Sequence, residues 1–195
     1  VCMLYIIFNV RPVTSWSNGG FSTDPLNPNY GTHDWIAQHA LDWLPSEEKQ
    51  YLVNNLAAYL FGTELPDGGI GGIGDVALHH IYYYANGSLQ DDASAVRARA
   101  EYNSALSFLK EEDFSNAAKR AGIMSHYIVD VAVFGHVMGS GTDWGSVVHH
   151  SDYESYVNTR TDSYIDDFNL YLAFDGSLDS ISAHTAAREL AYDTT

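Results

Sequence analysis

The stretch from Asp113 to His136 constrains the fold more than any other part of the chain. Ala117, Ala118, Ala121, Ile123, Met124, Tyr127, Ile128 and Val131 recur there at the spacing of one helix face, a period that buries an apolar stripe only when the segment is helical. Asp113 stands where an N-cap belongs, so the spacing predicts one long helix from Asp113 to about His136. Near the end of that run His126 and Asp130 lie four residues apart, and His136 follows. Side chains at i and i+4 share a face and converge, so His126 and Asp130 can chelate one ion or bridge two neighbouring ions.

The same signals organise the rest of the chain. Trp16 to Thr32 is rich in Asn, Gly, Ser and Pro and reads as loop. His33 to Leu44 has helical spacing, and Pro45-Ser46-Glu47-Glu48 breaks it and opens a helix predicted to reach about Phe61. A glycine-rich loop follows from Glu64 to Gly74. The run from Asp75 to Ala85 reads as a short helix, although its three consecutive tyrosines are equally compatible with a strand, and Asn86-Gly87 stops it. Further helices are predicted over Gln90–Lys110, about Val148–Leu172 and about Leu178–Ala191, with a Gly/Ser/Thr-rich loop over Gly139–Gly145. Without an internal repeat, a period-two strand series or a linker, the expectation is an all-α, single-domain helical bundle whose loops and helix ends carry the site.

Composition narrows the chemistry. At 195 residues and 46% hydrophobic content the chain can bury a sizeable core. Nine Lys+Arg against 25 Asp+Glu give a formal charge of -16, which argues against a basic surface for double-stranded nucleic acid. The single cysteine is Cys2, so thiolate zinc sites and an internal disulfide are excluded and any metal is bound through N and O. Nine histidines in such a chain point to metal ligation. Residues 1 to 15 begin with an apolar run, Val1 to Val10, and end in Val13-Thr14-Ser15, small enough for a cleavage site. They read as the remnant of a signal peptide whose basic start is missing, and hence as the leader of a secreted protein; an ordinary buried strand is the other reading. The ending at Tyr192-Asp-Thr-Thr195 is abrupt and reads as a truncation after the last helix. No later segment reaches the roughly 18 apolar residues that a membrane span requires.

A second His-carboxylate pair at i, i+4, His150 and Glu154, lies on the helix predicted from Val148. Upstream, Thr32-His33-Asp34-Trp35 opens a helix, Leu65-Pro66-Asp67-Gly68-Gly69 sets an aspartate in a loop, and His79-His80 sits in an aromatic run. Together these supply ligands for two or three metals at about three protein ligands per ion. His39, His149 and His184 read as surface or packed histidines, and residues such as Trp35, Trp43, Tyr153 and Tyr156 as core. A zinc cluster suits phosphoester hydrolysis because it brings the pKa of a bound water to about 7 and neutralises phosphate charge.

In order and spacing, Trp16-Ser, His33, Asp67, His80, His126-x3-Asp130-x5-His136 and His150-x3-Glu154 resemble the zinc-dependent phospholipase C family, the bacterial phosphatidylcholine-hydrolysing and alpha-toxin type, with the zinc single-strand nucleases as distant relatives. The resemblance covers most of the chain after Ser15 and is most specific in Ser125–His136 and His150–Thr159. It implies an all-helical fold around a buried trinuclear zinc site, with three Zn2+ per chain. By the resemblance one ion takes Trp16, through its amino group and carbonyl after cleavage at Ser15, together with His33 and Asp130. A second takes Asp67, His80, His126 and the shared Asp130, and a third takes His136, His150 and Glu154. Asp75 competes with Asp67, and His79 with His80; the ungapped match of His80 to Gly87 with the family favours His80. Tyr83-Tyr84-Ala85 replaces the family's Asp-Pro-Asp, so the family's substrate pocket does not carry over there. The implied activity is hydrolysis of a phospholipid at a membrane surface into diacylglycerol and a phosphorylated head group, with Asp67 as general base or as orienting group for the water. A nuclease or nucleotidase on the same scaffold and a non-catalytic zinc-binding protein are the alternatives.

Overall fold

The computed structural model describes residues 30–68, 72–142, 150–158, 160, 178 and 180–195. Their element order is α1 (Thr32–Trp43), α2 (Ser46–Asn54), α3 (Leu56–Glu64), a 3-10 turn at Val76–Leu78, β1 (Tyr82–Tyr83), β2 (Leu89–Asp91), α4 (Ala93–Lys110), α5 (Phe114–Asp130), α6 (Phe134–Val137), α7 (His150–Asn158) and α8 (Ala183–Thr194). The class is all-α, with one antiparallel two-stranded hairpin among the described residues. No helix described is long and apolar enough to cross a membrane.

Helix α5 is the centre of the packing, because its buried stripe of Ala117, Ala118, Ala121, Gly122, Ile123, His126, Tyr127 and Asp130 faces α3 and α4 along its length. Asp113 caps it, accepting the Asn116 backbone N–H. Small residues make the contacts close. A Cβ on Gly122 would overlap the Tyr59 carbonyl of α3, and one on Gly62 would overlap the Lys119 carbonyl of α5. The backbones of α3 and α5 therefore touch at a glycine pair, and this brings Thr63 beside the last turns of α5. Ser94, Ala95, Ala98 and Ala105 are the buried small residues of α4. Burial of Ile123 and Tyr127 between α5, α4 and α8 adds about 1.5–3 kcal/mol for each large side chain.

The structure departs from the predicted elements at places that matter for the site. The helix predicted from Ser46 to Phe61 is two helices, broken at Asn55, whose φ of -123° and ψ of 33° leave the helical region while its amide donates to the Tyr51 carbonyl. The Asp75–Ala85 run is a 3-10 turn followed by a strand, since Tyr82-Tyr83 pairs with Leu89-Gln90-Asp91 across the Asn86-Gly87 turn. The long helix predicted to reach His136 ends at Asp130. The chain turns through Val131, Ala132 and an extended Val133 (φ -108°, ψ 129°) before α6, because burying Val131 and Val133, 0% and 1% exposed, wins over continuing the helix. The last helix begins at Ala183, where Ser182 caps it by accepting the Thr185 N–H, and runs to Thr194. Of the predicted Val148–Leu172 helix, His150–Asn158 is helical; Val148, His149 and most of the remainder lie outside the described residues, as do the leader and Trp16.

Candidate metal centre

Four separate segments converge on the C-terminal end of α5. The second residue of α1, His33, is 1% exposed, and its ring stacks on that of His126 with centroids 4.1 Å apart and planes 11° from parallel. Its Nε2 lies 3.2 Å from Asp130 Oδ1. Asp34, next to it, holds the start of α1 in place: its Oδ2 accepts the Gly31 N–H, and its Oδ1 accepts the Thr63 hydroxyl at 2.7 Å. Thr63 in turn places its carbonyl 2.6 Å from His126 Nδ1, which makes that nitrogen the N–H donor and turns Nε2 inward. His126 Nε2 is 3.0 Å from Asp130 Oδ2 and 3.5 Å from Asp67 Oδ1.

His79 completes the group from the loop before the hairpin. Its Nδ1 lies 3.0 Å from Asp130 Oδ2, 3.3 Å from Asp67 Oδ1 and 3.3 Å from His126 Nε2. The hairpin and its neighbours hold this loop: the Ser94 N–H at the start of α4 donates to the His80 carbonyl, and the Ile81 N–H donates to the His136 carbonyl. Asp130 thus touches three histidines, and Asp67 touches two of them. One atom from each of His33, His126 and Asp130 lies within 4.8 Å of the others, as does one from each of Asp67, His79 and His126.

Electrostatics show what this arrangement demands. Burial and the neighbouring His126 lower the His33 pKa, so its imidazole is neutral. Burial also works against charge on His126 and His79, but the Asp130 and Asp67 carboxylates outweigh it and raise them to about 10 and about 9. Burial pushes the two carboxyls up, yet the facing histidines win and hold both Asp67 and Asp130 below the ordinary carboxylate range. Two imidazolium charges thus balance two carboxylates in a buried pocket. Replacing those two protons by a divalent ion keeps the balance and gives imidazole nitrogens and carboxylate oxygens, the donor set zinc takes, aimed at one space. His33 Nδ1, buried and without a hydrogen-bond partner among the described residues, is a further nitrogen free to ligate.

A second group adjoins the first. His136 on α6 and Glu154 on α7, 7% and 1% exposed, face each other with Nε2 to Oε1 at 3.4 Å. His136 is among the groups that hold the Asp130 carboxyl down, so the two groups are neighbours. His150 opens α7, four residues before Glu154; its side chain lies outside the described residues.

Of the predicted site residues, the structure thus gathers His33, Asp67, His126 and Asp130, and pairs His136 with Glu154. It does not bring His80 to the cluster: that side chain stacks on Tyr82, centroids 4.0 Å apart, with Nε2 3.4 Å from Asp91 Oδ1. His79 stands in the place expected of His80. Asp75, the competitor of Asp67, meets the opposite nitrogen of His79, Nε2, at 3.3 Å. Thr63 was not foreseen, because its contribution is a backbone carbonyl, which no residue type announces. His39 pairs with Asp42 and His184 with Asp92, both away from the cluster.

A family model described as zinc dependent phospholipase C matches residues 32–192. The chain belongs to the zinc-dependent phospholipase C family. No curated protein and no solved structure matches it. Membership makes zinc the metal these His and Asp groups point to, and hydrolysis of a phosphoric ester the general activity.

Proposed function

We propose that this protein is a zinc-dependent phospholipase C that cleaves the phosphodiester of a phospholipid at a membrane surface, releasing diacylglycerol and a phosphorylated head group. The observation that carries the reading is Asp130: one fully buried carboxylate within 3.0–3.2 Å of His33, His79 and His126, inside the stretch that the family model matches. His33 and Asp130 would hold one ion, completed by the amino group and carbonyl of Trp16. Asp67, His79, His126 and the shared Asp130 would hold a second, and His136, His150 and Glu154 a third, three in all. Zinc bound there supplies Lewis acidity, which acidifies water and offsets phosphate charge, so that an acidic protein can accept an anionic substrate.

The chain's own residues do the rest. Thr63 fixes the tautomer of His126 through Nδ1. Asp67, in the loop after α3 and beside His126 and His79, would offer a carboxylate oxygen to the attacking water, as general base or as orienting group. Burial of His33, His126 and Asp130 at 0–1% exposure excludes bulk water from the centre. Cleavage of the leader between Ser15 and Trp16, and hence secretion, is part of this reading: the amino group of Trp16 becomes a ligand only when nothing precedes it.

The test is zinc content per chain of the protein starting at Trp16, with hydrolysis of phosphatidylcholine and of single-stranded DNA measured side by side with and without chelator. Three zincs and chelator-sensitive release of diacylglycerol are expected. Fewer than two zincs per chain sinks the cluster, cleavage of DNA alone makes the protein a nuclease, and metal with neither activity makes it a non-catalytic zinc protein. Adding one residue before Trp16 is expected to cost one zinc.

A further inference from the structure

Two adjacent histidines compete for one place in the centre, and the decision is made outside it. Asp75, in the loop entering the 3-10 turn, is clamped from two helices. Its Oδ1 accepts the Tyr127 hydroxyl of α5 at 2.7 Å, and its Oδ2 is 2.9 Å from Arg97 Nε of α4. Arg97 also donates to the Tyr127 hydroxyl from Nε and Nη2, at 3.2 and 3.1 Å, and pairs through Nη2 with Glu101 Oε1 at 3.1 Å. Glu101, 4% exposed, is tied further to Arg120 at 2.9 Å. The Asp75 carboxylate is therefore set in position by groups that do not belong to the centre, and it turns Oδ1 to His79 Nε2 at 3.3 Å.

The ring of His79 is held accordingly. It stands edge-on to Tyr127, centroids 5.3 Å apart and planes at 90°, and its other nitrogen, Nδ1, faces Asp67, Asp130 and His126. A carboxylate that accepts Nε2–H leaves Nδ1 as the lone-pair nitrogen, the arrangement by which a carboxylate orients a metal-binding histidine. His80 has a different partner, Asp91, which is itself half exposed and sits on the hairpin strand β2.

We propose that Asp75, fixed by Arg97 and Tyr127, is the positioning residue that selects His79 over His80 as a zinc ligand and commits it to bind through Nδ1. Asp75 is then not a ligand, since the nitrogen it meets is the one turned away from the centre. The proposal rests on the zinc reading above and adds to it a residue whose role is orientation.

The experiment has two readouts on the protein starting at Trp16. In the zinc-loaded wild type, long-range 1H–15N spectra of the imidazoles are expected to show His79 metallated at Nδ1, with its Nε2 carrying the proton, and His80 unmetallated. Zinc affinity is then compared by chelator competition. Asp75→Ala is expected to lose about 10- to 100-fold at one site and to release His79 from its single Nε2–H form, and His80→Ala to bind as the wild type does. Metallation of His80, metallation of His79 at Nε2, or wild-type affinity in Asp75→Ala overturns the proposal. So does an Asp75→Ala in which His79 is still metallated solely at Nδ1, which would make the clamp a support of the fold alone. A wild type that retains no zinc fails the parent reading instead, so the two failures are distinct; the spectra decide the question even if Asp75→Ala does not fold.

Discussion

His126 Nδ1 lies 2.6 Å from the Thr63 carbonyl, and this one contact joins the metal centre to the glycine crossing of α3 and α5. Because Gly62 precedes Thr63, the separation of the two helices sets the position of that carbonyl. Gly122→Ala places a methyl on the Tyr59 carbonyl and must push the helices apart. A loss of about 1–3 kcal/mol is expected from overpacking, together with weaker zinc binding as His126 loses its anchor. Urea midpoints and zinc content measured on the same preparation check it; an unchanged midpoint would refute the close crossing.

Asp130 is the group the centre can least spare. Asp130→Asn keeps its volume but removes the charge facing three histidines. In the metal-free protein at neutral pH the facing imidazoles then shed their protons rather than stay charged and unpaired, and stability falls by about 1.5–3 kcal/mol with the lost charge-assisted hydrogen bonds. Zinc affinity is expected to fall at least about 100-fold, beyond the effect of losing an outer partner. Metal analysis after gel filtration, with thermal unfolding of the metal-free forms, reads both. Full zinc retention in the variant would remove Asp130 from the ligand set.

The centre also fixes the direction of a pH effect. In the metal-free protein His126 and His79 are raised to about 10 and about 9, chiefly against the pull of burial, by Asp130 and Asp67. Their contribution to stability is complete below the ordinary imidazole value of about 6.5 and is lost as pH rises through 9 to 10. The depressed carboxyls of Asp67 and Asp130 contribute above about pH 4, and that part is lost as pH falls. Zinc must displace the two histidine protons, so loading at pH 7 is expected to release about two protons per pair of ligating histidines and to tighten as pH rises. Calorimetry in buffers of different ionisation enthalpy measures the release. Loading without proton release would contradict the charge balance drawn from the geometry.

The His136–Glu154 pair is predicted to act as a separate unit. Glu154→Gln is expected to lose one zinc per chain while the cluster around Asp130 keeps its metal, because Glu154 faces His136 across α6 and α7, whereas the Asp130 cluster is gathered from α1, α5 and the loops after α3. Zinc counting with cobalt replacement of the retained ions checks this. Loss of every ion in Glu154→Gln would mean that the two groups are one cooperative site.

How much of this was legible beforehand follows the range of the interactions. His126-x3-Asp130 could be read as a converging pair because helix geometry is local: once Ala117, Ala121 and Tyr127 demand a helix, the fourth residue on is necessarily a neighbour. The Asp75-x3-His79 spacing carried the same signal in the chain, at a place where a strand and a helix were equally compatible with the residues. The break after Asp130 was hidden for a different reason. Val131 continues the helical stripe of Tyr127 and Ile128 as well as it fits a turn, and only the pocket that buries it together with Val133 chooses.

By itself, then, the amino-acid sequence determined the helical class, the nitrogen-and-oxygen chemistry of the centre and the i, i+4 pairing on α5, because periodicity and residue type act over single turns. Tertiary structure decided which distant groups meet there. Successive residues outside a helix point different ways, so His79 and His80 could be told apart only when the hairpin, the start of α4 and the chain after His136 had fixed the backbone between them. The stacking of His33 on His126 and the reach of the Thr63 carbonyl depend in the same way on α1, α3 and α5 packing through glycine and alanine, a long-range fit that spacing along the chain does not encode.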